Sequence, residues 1–389
     1  MFTFAFVVGL AATAIPQAEA QTFEVVHNFT GGSDGGDPLD GLTLDGSGNL
    51  YGTTSSGGTS NYGVVYRVTK GGVETVLHNF AGGTDGASPE GSLLWDKAGY
   101  LYGTTMDGGA SGEGTVFKVT AAGKEAVLYS FTGTAAGAFP EAGLIMDAAG
   151  NLYGTTTAGG LSGNGTVFKL GPPKTKGGAW TEEVLYSFGT GTDGAVPVAG
   201  VNLDAAGNVY GTTSAGGAYG YGTVFQLTPS GSGWTENILH NFQDGDDGAV
   251  LYAGLISDKT GNFYGAATEG GSGGGGTVFE LTPANGDWTF TVLYSIPGWG
   301  ISGSFRNLIL DSSGNLYGTT HCDGANNAGT VYKLTPASGS WTYTSLYVFT
   351  GGSDGLYSFS NLVLKQGKLY GTTKQGGAND YGVIFEITP

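Results

Sequence analysis

Asn49-Leu50-Tyr51-Gly52-Thr53-Thr54 phases the whole chain, because its core returns six times, at Tyr102-Gly103, Tyr153-Gly154, Tyr210-Gly211, Tyr264-Gly265, Tyr317-Gly318 and Tyr370-Gly371. Six copies read Tyr-Gly-Thr-Thr and the fifth reads Tyr-Gly-Ala-Ala. Successive glycines lie 51, 51, 57, 54, 53 and 53 residues apart. A period near fifty is the mark of a repeat architecture. It overrides the two or three domains that 389 residues would otherwise suggest.

Each period holds four strand-like segments. In the first they are 24–29 (EVVHNF), 41–45 (GLTLD), 49–54 (NLYGTT) and 64–69 (VVYRVT). They are short, rich in β-branched and aromatic residues, and bounded by Gly, Asn and Asp. No stretch sustains a helical period. Four strands in about fifty residues fit a propeller blade, whereas β-helix coils are shorter. The link Gly46-Ser47-Gly48 is a tight hairpin, while residues 30–41 form a long connection able to cross from the rim of one blade to the axis of the next. This sets GLTLD as the innermost strand A, NLYGTT as B, VVYRVT as C and VETVLHNF (73–80) as the outermost strand D. The chain then opens with a D strand, 23–29, and ends with a C strand, 383–388. Pairing the two would close a seven-bladed, all-β ring of four-stranded antiparallel blades and remove two sheet edges.

Composition agrees. Glycine is 77 of 389 residues, and charged residues are 12% against a usual share of about 25%. Aromatics also reach 12%, enough to build a core. The formal net charge of −18 argues against a nucleic-acid partner and against an anionic membrane surface. Residues 2–15 are almost wholly apolar and Ala18-Glu19-Ala20 has the form of a cleavage site, so residues 1–20 read as a signal peptide, although no Lys or Arg precedes the apolar run. Residues 21–389 then form one secreted domain, expected as a monomer, with no further run long enough to span a membrane. Cys322 is the only cysteine, so no internal disulfide is possible.

Most repeated residues read as structural. Gly52 and its equivalents lie mid-strand, where close approach of another group is the usual reason for glycine; an aromatic of the neighbouring blade is expected there. His27, His78 and His240 occupy the position held elsewhere by Tyr129, Tyr186, Tyr294 and Tyr347. A position shared by His and Tyr reads as a packing site before a metal ligand. Trp180, Trp234, Trp288 and Trp341 open strand D in four repeats, again as packing aromatics.

The pattern D-x-x-G-N-L-Y-G-T-T-x-x-G-G…G-T-V-F-K-L-T-P, clear at 147–170, 204–229 and 311–336, resembles the Gloeo-Verruco (GloVer) tandem repeat of exported bacterial proteins. The resemblance covers essentially all of the mature chain. It implies a secreted or surface β-propeller and no established activity, so no catalytic residue carries over. Relatives of this kind often end in a sorting anchor, which is not expected after Pro389. Kelch repeats share the Gly-Gly after the second strand but not the rest of the pattern.

Functional candidates sit on the long D–A and B–C loops, which should share one face, here called the top. Asp34, Asp85, Asp193, Asp247 and Asp354 stand in Gly-x-Asp-Gly D–A loops. Such oxygen-rich loops suit Ca²⁺, the one cofactor considered, although Asp-Gly turns account for the same pattern. Just before strand A, equivalent positions hold Leu39, Glu90, Glu141, Val198, Tyr252, Phe305 and Phe359. Glu90 and Glu141 in adjacent blades could form an acid/base couple of the glycosidase type; a solvated acidic rim is the plainer reading. The sixth repeat departs most. Its D–A loop reads Pro297-Gly298-Trp299-Gly300-Ile301-Ser302-Gly303, Arg306 follows, and its B–C loop opens His321-Cys322-Asp323. A ligand site on that blade is expected from Trp299, Arg306, His321 and Asp323 with Tyr252 and Phe305. There is no G-x-S-x-G, H-E-x-x-H, P-loop or C-x-x-C, and the GGSGGGG tract at 270–276 is a loop with no helix after it. The reading is therefore a non-catalytic binding module for an extracellular glycan or protein, with a polysaccharide- or glycoside-directed hydrolase or lyase as the alternative.

Overall fold

The recurring hairpin shows why these residues make blades. In the third repeat, Asp147 Oδ1 accepts the backbone N–H of Ala149 and of Asn151, both at 2.9 Å. Its Oδ2 accepts Asn151 Nδ2 at 2.7 Å and the Tyr153 hydroxyl at 3.1 Å. One carboxylate thus satisfies four donors and fixes both the A–B turn and the side-chain direction of strand B. Burial works to raise the Asp147 pKa, and these hydrogen bonds outweigh it and lower it. The same set of partners recurs at Asp45, Asp204 and Asp311.

The computed structural model describes residues 21–231, 233–298, 303–304 and 306–389. The expected signal peptide, Trp299 and Phe305 lie outside them. Seven four-stranded antiparallel sheets are present, each in the order A-B-C-D, so the protein is a seven-bladed β-propeller. The third blade is typical, with strands Ile145–Met146, Leu152–Thr156, Thr166–Gly171 and Thr181–Ser187. Strand A is only two or three residues long, shorter than the five the sequence suggested. Among the described residues its inner edge pairs with no strand, and the carbonyls of Leu93 and Leu255 beside it accept Thr43 Oγ1 and Asn202 Nδ2 of the neighbouring blades. Strand Thr22–Asn28 pairs antiparallel with Val383–Thr388 and is the outer strand of the seventh sheet. Phe23 stacks on Tyr347 of the sixth blade with ring centroids 3.9 Å apart. No helix among the described residues is long and apolar enough to cross a membrane.

The core is distributed over the joints. Each of seven apolar clusters combines residues of two successive blades. Phe29, Phe80, Phe131, Phe188, Phe242 and Phe349, which follow strand D, are fully buried. Burial of such a ring contributes about 1.5–3 kcal/mol. Phe131 meets Phe168 of the next blade at 5.1 Å, edge to face.

The mid-strand glycines differ from expectation in one respect. A Cβ on Gly154 would lie 2.7 Å from Cζ of Phe168 and 2.9 Å from Cδ2 of Leu144. Both residues belong to the glycine's own blade, with Phe168 directly across the ladder. The aromatic that needs the space therefore comes from strand C of the same blade, pressed inward by the neighbour's Phe131.

Candidate functional site

The Thr-Thr of the repeat builds the central mouth. Its first threonine donates to a backbone carbonyl of the next blade, at the residue just before strand A. Thr104 reaches Ala142, Thr155 reaches Ala199 and Thr212 reaches Ala253, each at 2.9 Å. Thr53, Thr319 and Thr372 do the same to Gly91, Ser360 and Asp40. In the fifth blade, where alanine stands in the motif, Thr268 takes over and bonds to the carbonyl of Ser304. These seven bonds place Leu39, Glu90, Glu141, Val198, Tyr252 and Phe359 around one opening, as the sequence alignment of the repeats required.

Below that ring lies a cavity of about 240 Å³ whose polar lining includes Asp40, Ser92, Tyr252, Arg306, Asn307 and Asn361. Its walls are stitched together. Asn307 Oδ1 accepts the N–H of Gly254 at 2.6 Å, and Asn361 Oδ1 accepts that of Asn307 at 2.7 Å. Asn361 Nδ2 donates to Asp40 Oδ1 at 2.8 Å and to Ser92 Oγ at 2.9 Å. This chain runs through blades five, six, seven, one and two.

Arg306 is held in the mouth by its own protein. Its Nε donates to the carbonyls of Leu39 and Phe359 at 3.2 Å, and Nη2 donates to Leu39 at 3.1 Å. Asp40 Oδ1 lies 3.8 Å away. The guanidinium bridges blades six, seven and one, and its charge acts on the carboxylates opposite.

Glu90 and Glu141 do come together. Burial and the Glu141 charge push Glu90 up to about 7, against the pull of Arg306 and Lys374. Burial also raises Glu141, opposed by a hydrogen bond from Thr157 Oγ1 at 3.1 Å and by Arg306. Tyr252 is raised by burial and by the charges of Glu269 and Glu141. One mouth thus holds two carboxyl groups whose pKa values burial raises, Glu90 to about 7.

The opposite side is aromatic and basic. His321 packs against Phe359 at 4.3 Å and Tyr357 at 4.5 Å. Burial and Lys374 push it down to about 4, so it is a neutral imidazole at physiological pH. Lys374 Nζ lies 5.7 Å from the Phe359 ring centre. Asp323 faces elsewhere: its carboxylate accepts hydrogen bonds from Thr320 and Thr330 inside the sixth blade. Cys322 is half-buried, and burial together with Asp323 raises its thiol pKa. Arg306, Tyr252 and His321 therefore share the mouth, and Asp323 supports it from behind.

Lys374 and Tyr357 escaped the reading of the sequence. A signal was present. The residue directly after each Thr-Thr or Ala-Ala pair is Ser55, Met106, Thr157, Ser214, Thr268, His321 or Lys374. Thr157, His321 and Lys374 all reach mouth groups, so this position faces the opening.

The five Gly-x-Asp-Gly aspartates are held inside their loops. Asp34, Asp85, Asp193, Asp247 and Asp354 each accept the backbone N–H four residues earlier. Each also meets the ring seven residues earlier: His78 at 3.2 Å, His240 at 3.0 Å, Tyr186 at 3.2 Å, Tyr347 at 2.9 Å and, more loosely, His27 at 3.7 Å. At these five positions His or Tyr offers a polar tip to the aspartate, whereas Tyr129 and Tyr294 have no aspartate seven residues later.

The sequence matches the Gloeobacter/Verrucomicrobia repeat over residues 14–205 and 198–389. The chain belongs to that repeat family. No curated protein matches the sequence. Among solved structures, this Gloeobacter/Verrucomicrobia repeat protein is similar to the extracellular domain of a protein described as a one-component system from B. thetaiotaomicron, with a TM-score of 0.55 and 10% identity over 90% of this chain and 38% of that one. It is also similar to a protein described as a 6-phosphogluconolactonase from Bacteroides fragilis, with a TM-score of 0.52 and 15% identity over 83% of this chain and 86% of that one. At such identities the likeness is one of fold.

Proposed function

We propose that this protein is an exported, monomeric, non-catalytic binding module that takes an extracellular glycan or protein on its top face. The observation that carries the reading is where apolar surface is left uncovered. Tyr62, Leu161, Tyr219, Tyr221 and Tyr381 are exposed by 39–85%, and all lie in B–C loops. Only Val73, in a C–D turn, is comparably exposed elsewhere among the described residues. Exposed tyrosines offer a flat apolar ring with a polar tip, a combination suited to sugar rings and to protein interfaces. The apolar start of the sequence and the fold shared with an extracellular domain support export. Mass spectrometry of the mature protein should find Gln21 at the N-terminus.

A glycan array read alongside a product assay tests the reading. Binding without turnover, weakened by Tyr62→Ala with Tyr381→Ala, is the expected result. The alternative, a hydrolase or lyase acting on a polysaccharide or glycoside, is favoured by the Glu90–Glu141 pair, where two carboxyl groups with raised pKa values share one mouth. Turnover of a glycoside, polysaccharide or sugar lactone that disappears in Glu90→Gln or Glu141→Gln would replace the binding-module reading.

A further inference from the structure

The outer seams between blades carry a second pattern, at the strand D position four residues before the His/Tyr ring. That position is Glu74, Glu125, Glu182 and Glu236 in blades one to four, and Phe290, Tyr343 and Phe23 in blades five to seven. Where it is aromatic, it stacks on the ring of the preceding blade. Phe290 lies 3.8 Å from His240, Tyr343 lies 5.1 Å from Tyr294 and Phe23 lies 3.9 Å from Tyr347. Where it is glutamate, its Oε1 is buried and has no hydrogen-bond partner in any of the four cases. A buried oxygen without a donor is costly. The seam between blades four and five shows that a His–Asp couple is complete without it: His240 and Asp247 pair at 3.0 Å beneath a phenylalanine.

Between blades one and two the glutamate meets the other half of a ligand set. His78 Nε2 lies 3.2 Å from both oxygens of Asp85, and one ligand atom from each of His78, Asp85 and Glu125 lies within 4.8 Å of the others. Asp85 Oδ2 is fixed by the N–H of Ala81 at 2.7 Å, which orients the carboxylate and leaves Oδ1 facing the imidazole. Two ligands about 2.0–2.1 Å from a tetrahedral zinc ion stand about 3.3 Å apart, close to the His78–Asp85 spacing. A nitrogen and two carboxylates are the donors of a borderline cation and not of Ca²⁺, which takes six or more oxygens.

We propose that His78, Asp85 and Glu125 bind a divalent transition-metal cation, zinc by their donor chemistry, that clamps the first blade to the second. The ion supplies the missing partner of Glu125 Oε1 and neutralises two facing carboxylates. The neighbouring seam of blades seven and one holds His27, Asp34 and Glu74 in the same roles but more openly, since His27 Nε2 and Asp34 Oδ2 are 3.7 Å apart and the Thr30 hydroxyl already occupies Asp34. That seam is removed from the experiment by His27→Tyr.

The experiment uses untagged mature protein carrying His27→Tyr, stripped with chelator, dialysed against zinc chloride and assayed for retained metal and melting temperature. The expected result is a rise in melting temperature with zinc and a loss of about one equivalent of retained zinc when His78→Tyr or Glu125→Gln is added. Tyrosine stands at four equivalent positions of this same chain, so His78→Tyr keeps a side chain the scaffold accepts. His240→Tyr, at the seam sealed by Phe290, should leave the retained zinc unchanged. Equal zinc in the parent, His78→Tyr and Glu125→Gln proteins, or no zinc in the parent, overturns the proposal.

Discussion

Replacing Gly154 with valine tests the packing of every blade at one atom. The backbone at Gly154 has an ordinary negative φ, so the substitution reports on space and not on strain. The new Cβ would stand 2.7 Å from Phe168 Cζ and 2.9 Å from Leu144 Cδ2. Phe168 has no room to retreat, since it is fully buried and backed by Phe131 at 5.1 Å. Overpacking of this kind costs about 1–3 kcal/mol. Unfolding entropy of about 2.1 cal/mol/K per residue gives roughly 0.8 kcal/mol per degree for a chain of this length, so the melting temperature should fall by about 1–4 °C. Differential scanning calorimetry of Gly154→Val, Gly154→Ala, Phe168→Leu and the Gly154→Ala/Phe168→Leu double variant closes the cycle. Leucine lacks the Cζ that the new methyl meets, so Gly154→Ala should cost less in the Phe168→Leu background than beside Phe168, with a coupling of about 0.5–3 kcal/mol. A Gly154→Val protein that melts with the parent, or strictly additive single variants, would refute the claim that the ring of strand C dictates the glycine.

Thr155→Val removes a buried inter-blade hydrogen bond and leaves the Ala199 carbonyl unpaired, which should cost about 1–3 kcal/mol by urea denaturation. Deleting residues 21–30 removes the outer strand of the seventh sheet with its Phe23–Tyr347 stack, and should lower the melting temperature sharply; an unchanged melt would show that the ring holds without it. Glu236, which faces Tyr186 and Asp193, is pushed up to about 8 by burial and by Asp193, while a free glutamate titrates near 4.3. Its contribution is complete below the lower value and is lost as pH rises through the higher one, so stability should decline from about pH 4 to 8. Glu236→Gln should flatten that limb in thermal melts across the range, and an identical slope would remove Glu236 as its source.

The fold was legible because the repeat exposes its own constraints. Asp-x-x-Gly-Asn-Leu-Tyr-Gly-Thr-Thr encodes a turn, four donors on one carboxylate, a cavity for a ring and a bond to the next blade, all within ten residues. Those contacts are local or one period away, so the spacing of the motif carries them. The mouth was half legible. Glu90 and Glu141 could be placed beside each other because equivalent positions in adjacent blades must be neighbours. Lys374 was missed because a lysine in the seventh repeat and a histidine in the sixth look like loop variation until the position after Thr-Thr is known to face inward. The rim glutamates were missed for a different reason. Glu125 matters only through His78 and Asp85, and side-chain packing across a blade seam leaves no alternation or spacing in the sequence to announce it.

The sixth repeat departs from the others in both of its long loops. In the third blade, a Cβ on Gly159 would sit 2.6 Å from Cα of Gly137, in the D–A loop of the same period, and Gly108 meets Gly86 in the same way. The first glycine of the Gly-Gly pair is thus required by the D–A loop glycine that lies on it, with or without the aspartate before it. In the sixth repeat, counting back from the mouth position, Ile301 stands where the other repeats have that loop glycine, and the position equivalent to the first glycine of the pair is Asp323, whose carboxylate turns inward to Thr320 and Thr330. The two departures fall in the same repeat. Both lie in the long loops at the top of the ring. There the seven nearly equal blades present an unequal mouth: Glu90 and Glu141 from blades two and three on one side, Arg306, His321, Phe359 and Lys374 from blades six and seven on the other. A ligand lying across the axis meets carboxylates at one end and aromatic rings with cations at the other. That polarity is what a ring of identical repeats could not supply, and it arises at positions outside the Tyr-Gly-Thr-Thr core of the motif.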